Sequence, residues 1–572
     1  MGPAVLLWVL GCEGEKPPAF AYASPGFGSG SSGELPTPES PVTHTSETGT
    51  DPEGTDTGRD TAPADTAPPE DTAPPEDTAP PVDSAVEPIC TPMTCTRRLT
   101  GTVDLPSEIP QWAVLQGQAG WGTGYDLDAV GDVDGDGLDD LLVFSAFREI
   151  WAPYGYTTTG IWSLAVGSVE GVSELDAASV TFYREADELD DPDAIEFTQG
   201  YVFGGGARGG DLDSDGIDDL LLYDEYATPS KVDSSLVGVV WIVSGPIGPA
   251  GGRMNLVDLP TRIMGVFRDD GIVTADDEAL AGDAIGGADL TGDGLPDLVT
   301  LNGANLLAGH LDIFAGPIPV GWHDSTIAVA SIWADEGNTN SVASGNVDVG
   351  DADGDGVGDL LVGAPHFVHD DVLSAGALAL FRGPELDGRL LSEADHLRHG
   401  TLYGESVGLW MAMLGDTDGD GTRELACGED IYQTYSFYGQ GHVYVFSGDE
   451  TGSGPIAEAG IDIHGREDGD GALGVNATAG DLDGDGFGDL VYGAVNVLDG
   501  GEKGGYIVYG PLPPGASDIE DVYGAAILCG YADCEIGFGS AGDMDGDGYE
   551  DLFVGQPGED RVDILLGGLE PM

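Results

Sequence analysis

The chain has 572 residues, with 18 Lys plus Arg against 103 Asp plus Glu and a formal net charge of −85. Nucleic acid and anionic lipid surfaces are excluded as partners, because both demand a basic footprint. Gly supplies 94 residues, more than twice the usual ~7%; with 41% hydrophobic residues available for a core, that much Gly means many tight turns rather than an unfolded chain. No apolar run reaches the ~18 residues of a spanning helix.

Residues 1–12 contain a short apolar run, Ala4 to Gly11, that ends at Cys12. This resembles the end of a bacterial lipoprotein signal, in which Val9-Leu10-Gly11 precedes the lipidated cysteine. The resemblance implies lipidation of Cys12 and an exported protein: an outer-membrane or cell-surface lipoprotein, or a secreted one, touching the membrane only through that anchor. An ordinary cleaved signal is the alternative. Residues 13–96 form a stalk rich in Pro, Thr, Ser, Asp and Glu, with DTAP units starting at Asp60, Asp65, Asp71 and Asp77. Such a composition cannot bury enough apolar surface to offset chain entropy, so the stalk is expected to be disordered or extended.

Residues 97–572 carry seven copies of one acidic loop. The copies start at Asp132, Asp211, Asp289, Asp351, Asp416, Asp481 and Asp543, at steps of 79, 78, 62, 65, 65 and 62 residues. Carboxylates at positions 1, 3, 5 and 9, with the carbonyl at position 7, form an all-oxygen set if the chain coils at the Gly of position 6. The seven sets are Asp132, Asp134, Asp136, Leu138 and Asp140; Asp211, Asp213, Asp215, Ile217 and Asp219; Asp289, Thr291, Asp293, Leu295 and Asp297; Asp351, Asp353, Asp355, Val357 and Asp359; Asp416, Asp418, Asp420, Thr422 and Glu424; Asp481, Asp483, Asp485, Phe487 and Asp489; and Asp543, Asp545, Asp547, Tyr549 and Asp551. Hard oxygen ligands suit Ca²⁺, up to seven ions, in a structural role. Thr291 marks the third loop as the weakest, Glu424 is a longer reach, and Ser214 replaces Gly at position 4 of the second loop at little expected cost.

An EF-hand begins similarly but needs an acidic residue at position 12 and then a helix. Position 12 here is Val143, Leu222, Thr300, Val362, Cys427, Tyr492 and Val554. The residues after each loop are strand-like, as in DLLVFSA from Asp140 and DLFVGQP from Asp551. Further strands close on Gly, as in HVYVFSG (His442 to Gly448) and GIDIHG (Gly460 to Gly465). Four strands per repeat and seven repeats predict an all-β, seven-bladed β-propeller with four-stranded antiparallel blades. The last repeat lacks its fourth strand. WAVLQG, Trp112 to Gly117, has that strand's pattern and is expected to close the ring.

The repeats resemble the FG-GAP repeats of the integrin α-subunit head and of related bacterial surface proteins. The resemblance implies that the calcium loops join the first and second strands on one face and that ligands approach the opposite face. By that geometry, Trp151, Tyr154 and Tyr156, and Tyr432, Tyr435, Phe437 and Tyr438, lie on the ligand face, where they serve either as an aromatic platform or as loop packing.

In an exported protein Cys90–Cys95 and Cys529–Cys534 are expected disulfides, with Cys427 buried. The chain has no HExxH, P-loop or GxSxG sequence. His366-x-x-His369 with Asp370 and Asp371 reads first as a solvated polar loop and second as a transition-metal pair. The expected function is non-enzymatic recognition or adhesion at the cell surface, toward an extracellular protein or carbohydrate. The alternatives are a propeller-based hydrolase or lyase acting on an extracellular polymer, and a structural envelope protein.

Overall fold

The computed structural model describes residues 87–91, 94–98, 101–105, 112–151, 157–167, 171–183, 205–224, 238–265, 280–302, 309–335, 346–428, 441–465, 473–497, 502–529 and 537–567. The signal-like segment with Cys12 and most of the stalk lie outside these residues.

Seven five-stranded sheets succeed one another as blades. Blade four shows the plan. Val347–Gly350 is innermost and pairs antiparallel with Asp359–Gly363; Ala377–Arg382 and then His396–His399 continue the sheet outward. These are the four antiparallel strands expected from the repeats.

Each blade also has a fifth, parallel strand at its outer edge. Gly452–Pro455, which pairs with His396–His399, comes from the connection between the third and fourth strands of blade five. Each blade thus covers the edge of the one before it, removing an unpaired strand edge. After the edge strand comes a single helical turn, as at Leu391–Glu393 and Ile456–Glu458, which buries one apolar side chain, Leu391 and Ile456 respectively.

The second strands read as continuous apolar runs because both faces of a blade are covered. All of Asp359–Gly363 is buried. Alternate side chains go to opposite neighbours: Leu360 and Val362 pack with Val299 and Ile313 of blade three, and Leu361 packs with Met413, Leu425 and Phe446 of blade five.

Ring closure uses the expected strand. Trp112–Gln116 pairs antiparallel with Arg561–Leu565 as the fourth strand of blade seven. Ala113 and Leu115 are fully buried with Leu141 and Val143 of blade one, while Val114 faces Val491 and Ile507 of blade six. A second closure was not anticipated. Gly101–Leu105 is the parallel edge strand of blade six, along Ala525–Cys529. Two described strands also lie upstream of residue 97, where composition placed the end of the stalk. Glu87–Thr91 and Thr94–Arg98 form an antiparallel hairpin with Cys90 opposite Cys95; Ile89 and the threonines of both strands favour extended backbone. The side chains of Cys90, Cys95 and Cys529, and all of Cys534, lie outside the described residues. Cys427 is buried, as expected.

Candidate metal centre

Each acidic loop joins the first strand of a blade to its second, at one end of the ring. In the first loop, Asp132 Oδ1 accepts from the backbone N–H of Gly135 (2.8 Å) and Asp136 (3.0 Å), and Oδ2 accepts from Gly137 (2.9 Å). Asp134 accepts from the N–H of Asp136, and Asp136 from that of Leu138, both at 3.0 Å. The coil turns at position 6, where Gly137, Gly216, Gly294, Gly356, Gly421, Gly486 and Gly548 take φ of 91°, 93°, 91°, 88°, 95°, 88° and 88°. Only Gly occupies that region without strain. Ser214 adopts φ 64° at position 4, so its substitution for Gly costs about 1 kcal/mol; the motif alone does not announce that backbone conformation.

Carboxylate oxygens within 4.8 Å of one another are presented by Asp132, Asp134 and Asp136; by Asp211, Asp213 and Asp215; by Asp351, Asp353 and Asp355; and by Asp481, Asp483 and Asp485. In the fifth loop the group is Asp416, Asp418 and Glu424.

Position 9 has a further task. Asp140 Oδ2 accepts from the N–H of Val133 and Asp134, both at 3.1 Å, and Oδ1 accepts from Gly167 beyond the third strand at 3.1 Å. Asp219, Asp297, Asp359, Asp489 and Asp551 make the same two-sided clasp. Burial is the largest influence on their ionisation. It pushes Asp140, Asp219 and Asp551 up to about 7, Asp359 to about 6 and Asp489 to about 8, with carboxylates of the same loop adding to the rise.

The donor set fits a hard divalent cation. In these five loops the convergent groups are carboxylates, and close like charges demand neutralisation. Glu424 supplies a specific sign: Oε2 accepts from the Thr417 N–H (2.5 Å) and hydroxyl (2.6 Å), while buried Oε1 has no hydrogen-bond partner among the described residues.

Neighbouring loops are also joined, which the motif did not reveal. The position-8 N–H donates to the position-1 carbonyl of the preceding loop: Asp218 to Asp132 (3.2 Å), Gly358 to Asp289 (2.7 Å), Gly488 to Asp416 (2.8 Å) and Asp139 to Asp543 (3.2 Å). Position-7 side chains cover the position-4 Gly of the loop before. A Cβ on Gly484 would sit 2.0 Å from the Tyr549 ring, and one on Gly419 2.6 Å from Phe487.

At the opposite end of the strands, the segments after the second and fourth strands of blade four pack together. Ser406 N–H donates to the Ser374 carbonyl (3.1 Å) and Val407 N–H to that of Ala375 (3.2 Å). Asp370, Asp371, Ser374 and Ser406 all have positive φ. Leu373, Leu402, Tyr403 and Leu409 stand 57%, 63%, 67% and 43% exposed. The side chain of Trp151, and all of Tyr154, Tyr156, Tyr432, Tyr435, Phe437 and Tyr438, lie outside the described residues. The exposed residues of blade four were missed because isolated Leu and Tyr among Gly and Ser carry no periodic signal. Nearby, the His369 and His399 rings stack at 3.6 Å, and burial holds His366 and His369 below the ordinary histidine range.

The FG-GAP repeat family matches residues 538–568. Integrin alpha-PS2 of Drosophila melanogaster is 30% identical over 247 residues, covering 40% of this chain and 16% of that protein. Integrin alpha-4 of Xenopus laevis is 28% identical over 34% of this chain and 18% of its own length. Phosphatidylinositol-glycan-specific phospholipase D of Homo sapiens is 31% identical over 30% of this chain and 20% of its own. The matched regions thus span a fifth or less of these relatives. Among solved structures, the rhamnogalacturonan lyase YesW aligns at 12% identity with a TM-score of 0.38, over 80% of this chain and 72% of that one.

Proposed function

The chain is an FG-GAP-repeat β-propeller, and on that premise we propose that it is a calcium-stabilised recognition module that works outside the cell. The observation that carries this reading is the division of labour between the two ends of the strands. One end bears the carboxylate loops. The other bears four exposed apolar side chains, Leu373, Leu402, Tyr403 and Leu409, on two blade-four loops that backbone hydrogen bonds join and that contain four positive-φ residues. Backbone strain concentrates at ligand clamps, and clustered exposed apolar side chains mark interaction sites, which supports this end as the binding surface. Extracellular calcium modules load at about 10⁻⁴–10⁻³ M, so the loops suit an exported protein and a cell-surface or secreted location.

The partner is an extracellular protein or carbohydrate, and no catalytic step is assigned. The test is binding of the full chain, in millimolar calcium, to arrays of extracellular polysaccharides and matrix proteins, alongside the double variant Leu402→Asp, Tyr403→Ala. Retention of a partner by the native chain, and its loss in the variant at an unchanged melting temperature, supports the reading. Equal binding by both, or turnover of a polymer, overturns it.

A further inference from the structure

The sixth loop differs from its siblings in one respect that its own sequence does not show. It carries carboxylates at positions 1, 3, 5 and 9, Asp481, Asp483, Asp485 and Asp489, as do all its siblings except the third. A guanidinium from far upstream is seated on it. Arg98 Nε donates to Asp483 Oδ2, and Nη2 donates to Asp485 Oδ2 at 2.8 Å and to the Gly510 carbonyl at 3.1 Å. The guanidinium carbon lies 4.9 Å from the centroid of the Tyr509 ring. Asp483 is fully buried beneath this contact.

The fold explains how Arg98 arrives there. It ends the hairpin strand Thr94–Arg98 and stands just before Gly101–Leu105, the edge strand of blade six. That strand runs parallel to Ala525–Cys529, and both start at the loop end of the blade. Arg382 offers a contrast at the fourth loop. Its Nε lies 2.9 Å from Asp353 Oδ2, but its Nη2 is held by the carbonyls of Gly448 and Glu450. Arg98 instead grips the position-3 and position-5 carboxylates together.

We propose that Arg98 is a built-in competitor for calcium at the sixth loop, so that filling this loop loosens the attachment of the segment that leads into the ring. The inference rests on the calcium reading of the loops. Oδ1 of Asp483 and Oδ1 of Asp485 already accept the N–H groups of Asp485 (3.1 Å) and Phe487 (3.0 Å), so Oδ2 of each is the oxygen left for a metal ion, and the guanidinium competes for that same pair. Linkage makes the exclusion reciprocal: the grip of Arg98 weakens metal binding by the factor by which metal binding weakens that grip. The consequence is a sign opposite to the rest of the ring. Calcium should protect the other loops, while it frees the backbone next to Arg98.

The test is a calcium titration of the full chain and of Arg98→Gln and Arg98→Lys, read by amide exchange at residues 132–140, 481–489 and 101–105, with bound ions counted by native mass spectrometry. In the native chain the sixth loop is expected to gain protection at about tenfold higher calcium than the first, while exchange at Gly101–Leu105 rises across the same range. Arg98→Gln should bring the two loops together and abolish the calcium response of Gly101–Leu105. Arg98→Lys keeps the charge without the fork and should fall between; it carries the test if Arg98→Gln does not fold. A sixth-loop midpoint unmoved by either substitution overturns the competition while leaving the calcium reading intact. Absence of protection at every loop, with no ions bound, overturns both.

Discussion

The backbone amide of Asp218, in the second acidic loop, donates to the carbonyl of Asp132, the first ligand of the first loop, at 3.2 Å. The side chain of the adjacent Ile217 would lie 3.1 Å from a Cβ placed on Gly135 of that same first loop. The two loops are therefore joined by a hydrogen bond and a packed side chain, through which a change in one coil would reach the other. Coupling of this kind needs a contiguous physical link, and the ring provides one.

Asp215→Ala, which removes a ligand from the second loop only, should lower calcium affinity at the first loop about fivefold. The fifth loop, across the ring, should stay unchanged. Amide exchange at residues 132–140 and 416–424 over a calcium titration checks this, and equal effects at both loops would refute neighbour coupling.

Positions 5 and 9 should separate when calcium is withheld. Asp219 is fully buried and accepts from the N–H groups of Leu212 (2.9 Å) and Gly245 (3.0 Å). Asp219→Ala strands both donors and should cost about 2–4 kcal/mol even in EGTA. Among the described residues, the Asp215 side chain accepts only the Ile217 N–H (3.0 Å) on an exposed turn, so Asp215→Ala should move the metal-free melt far less and act mainly on the gain from adding calcium. Denaturant unfolding of both variants, with and without calcium, makes the comparison.

The metal-free chain should become less stable as pH rises from 5 to 8. Burial raises the position-9 carboxyls, Asp140, Asp219 and Asp551 to about 7 and Asp489 to about 8, from about 4 in an unfolded chain. The folded state then binds more protons than the unfolded one, so stability present at low pH is lost as pH climbs through the folded values. Calcium competes with those protons, so its stabilising effect should grow over the same window. Melts at pH 5.5 and 8.0, in EGTA and in calcium, give the two slopes; a metal-free chain that melts higher at pH 8.0 would contradict the assignment.

Ring closure depends on a strand of five residues, Trp112–Gln116. Leu115 is fully buried between blades seven and one. Leu115→Ala should cost about 2–5 kcal/mol, the range for a cavity in a packed core. A loss well below 1 kcal/mol would mean that the strand is dispensable to the ring.

The blade count and the closing strand were legible because the acidic loop recurs in fixed register with the apolar strand after it. Other features lacked such a signal. The parallel edge strands are two to five residues long, as at Arg389–Leu390 and Gly101–Leu105, too short to show alternation. The helical turns bury at most one side chain each, none at Ser325–Ile327, and leave no period. The clasp made by Asp140 was hidden because an aspartate that binds metal and one that pairs backbone amides look the same in a motif. Arg98 meets Asp483 across 385 residues, a separation that only the closed ring removes.

Calcium dependence of the fold is the central claim, and thermal unfolding of the full chain with and without EGTA, with bound ions counted by mass spectrometry, tests it most directly. A site filled at a hundred times its Kd contributes about 2.7 kcal/mol, so several together rival the ~5–15 kcal/mol stability of an ordinary domain. A large fall in melting temperature on chelation, with six or seven ions bound beforehand, is the predicted result. An unchanged melt with no bound calcium would contradict it and reduce the seven loops to solvated acidic turns.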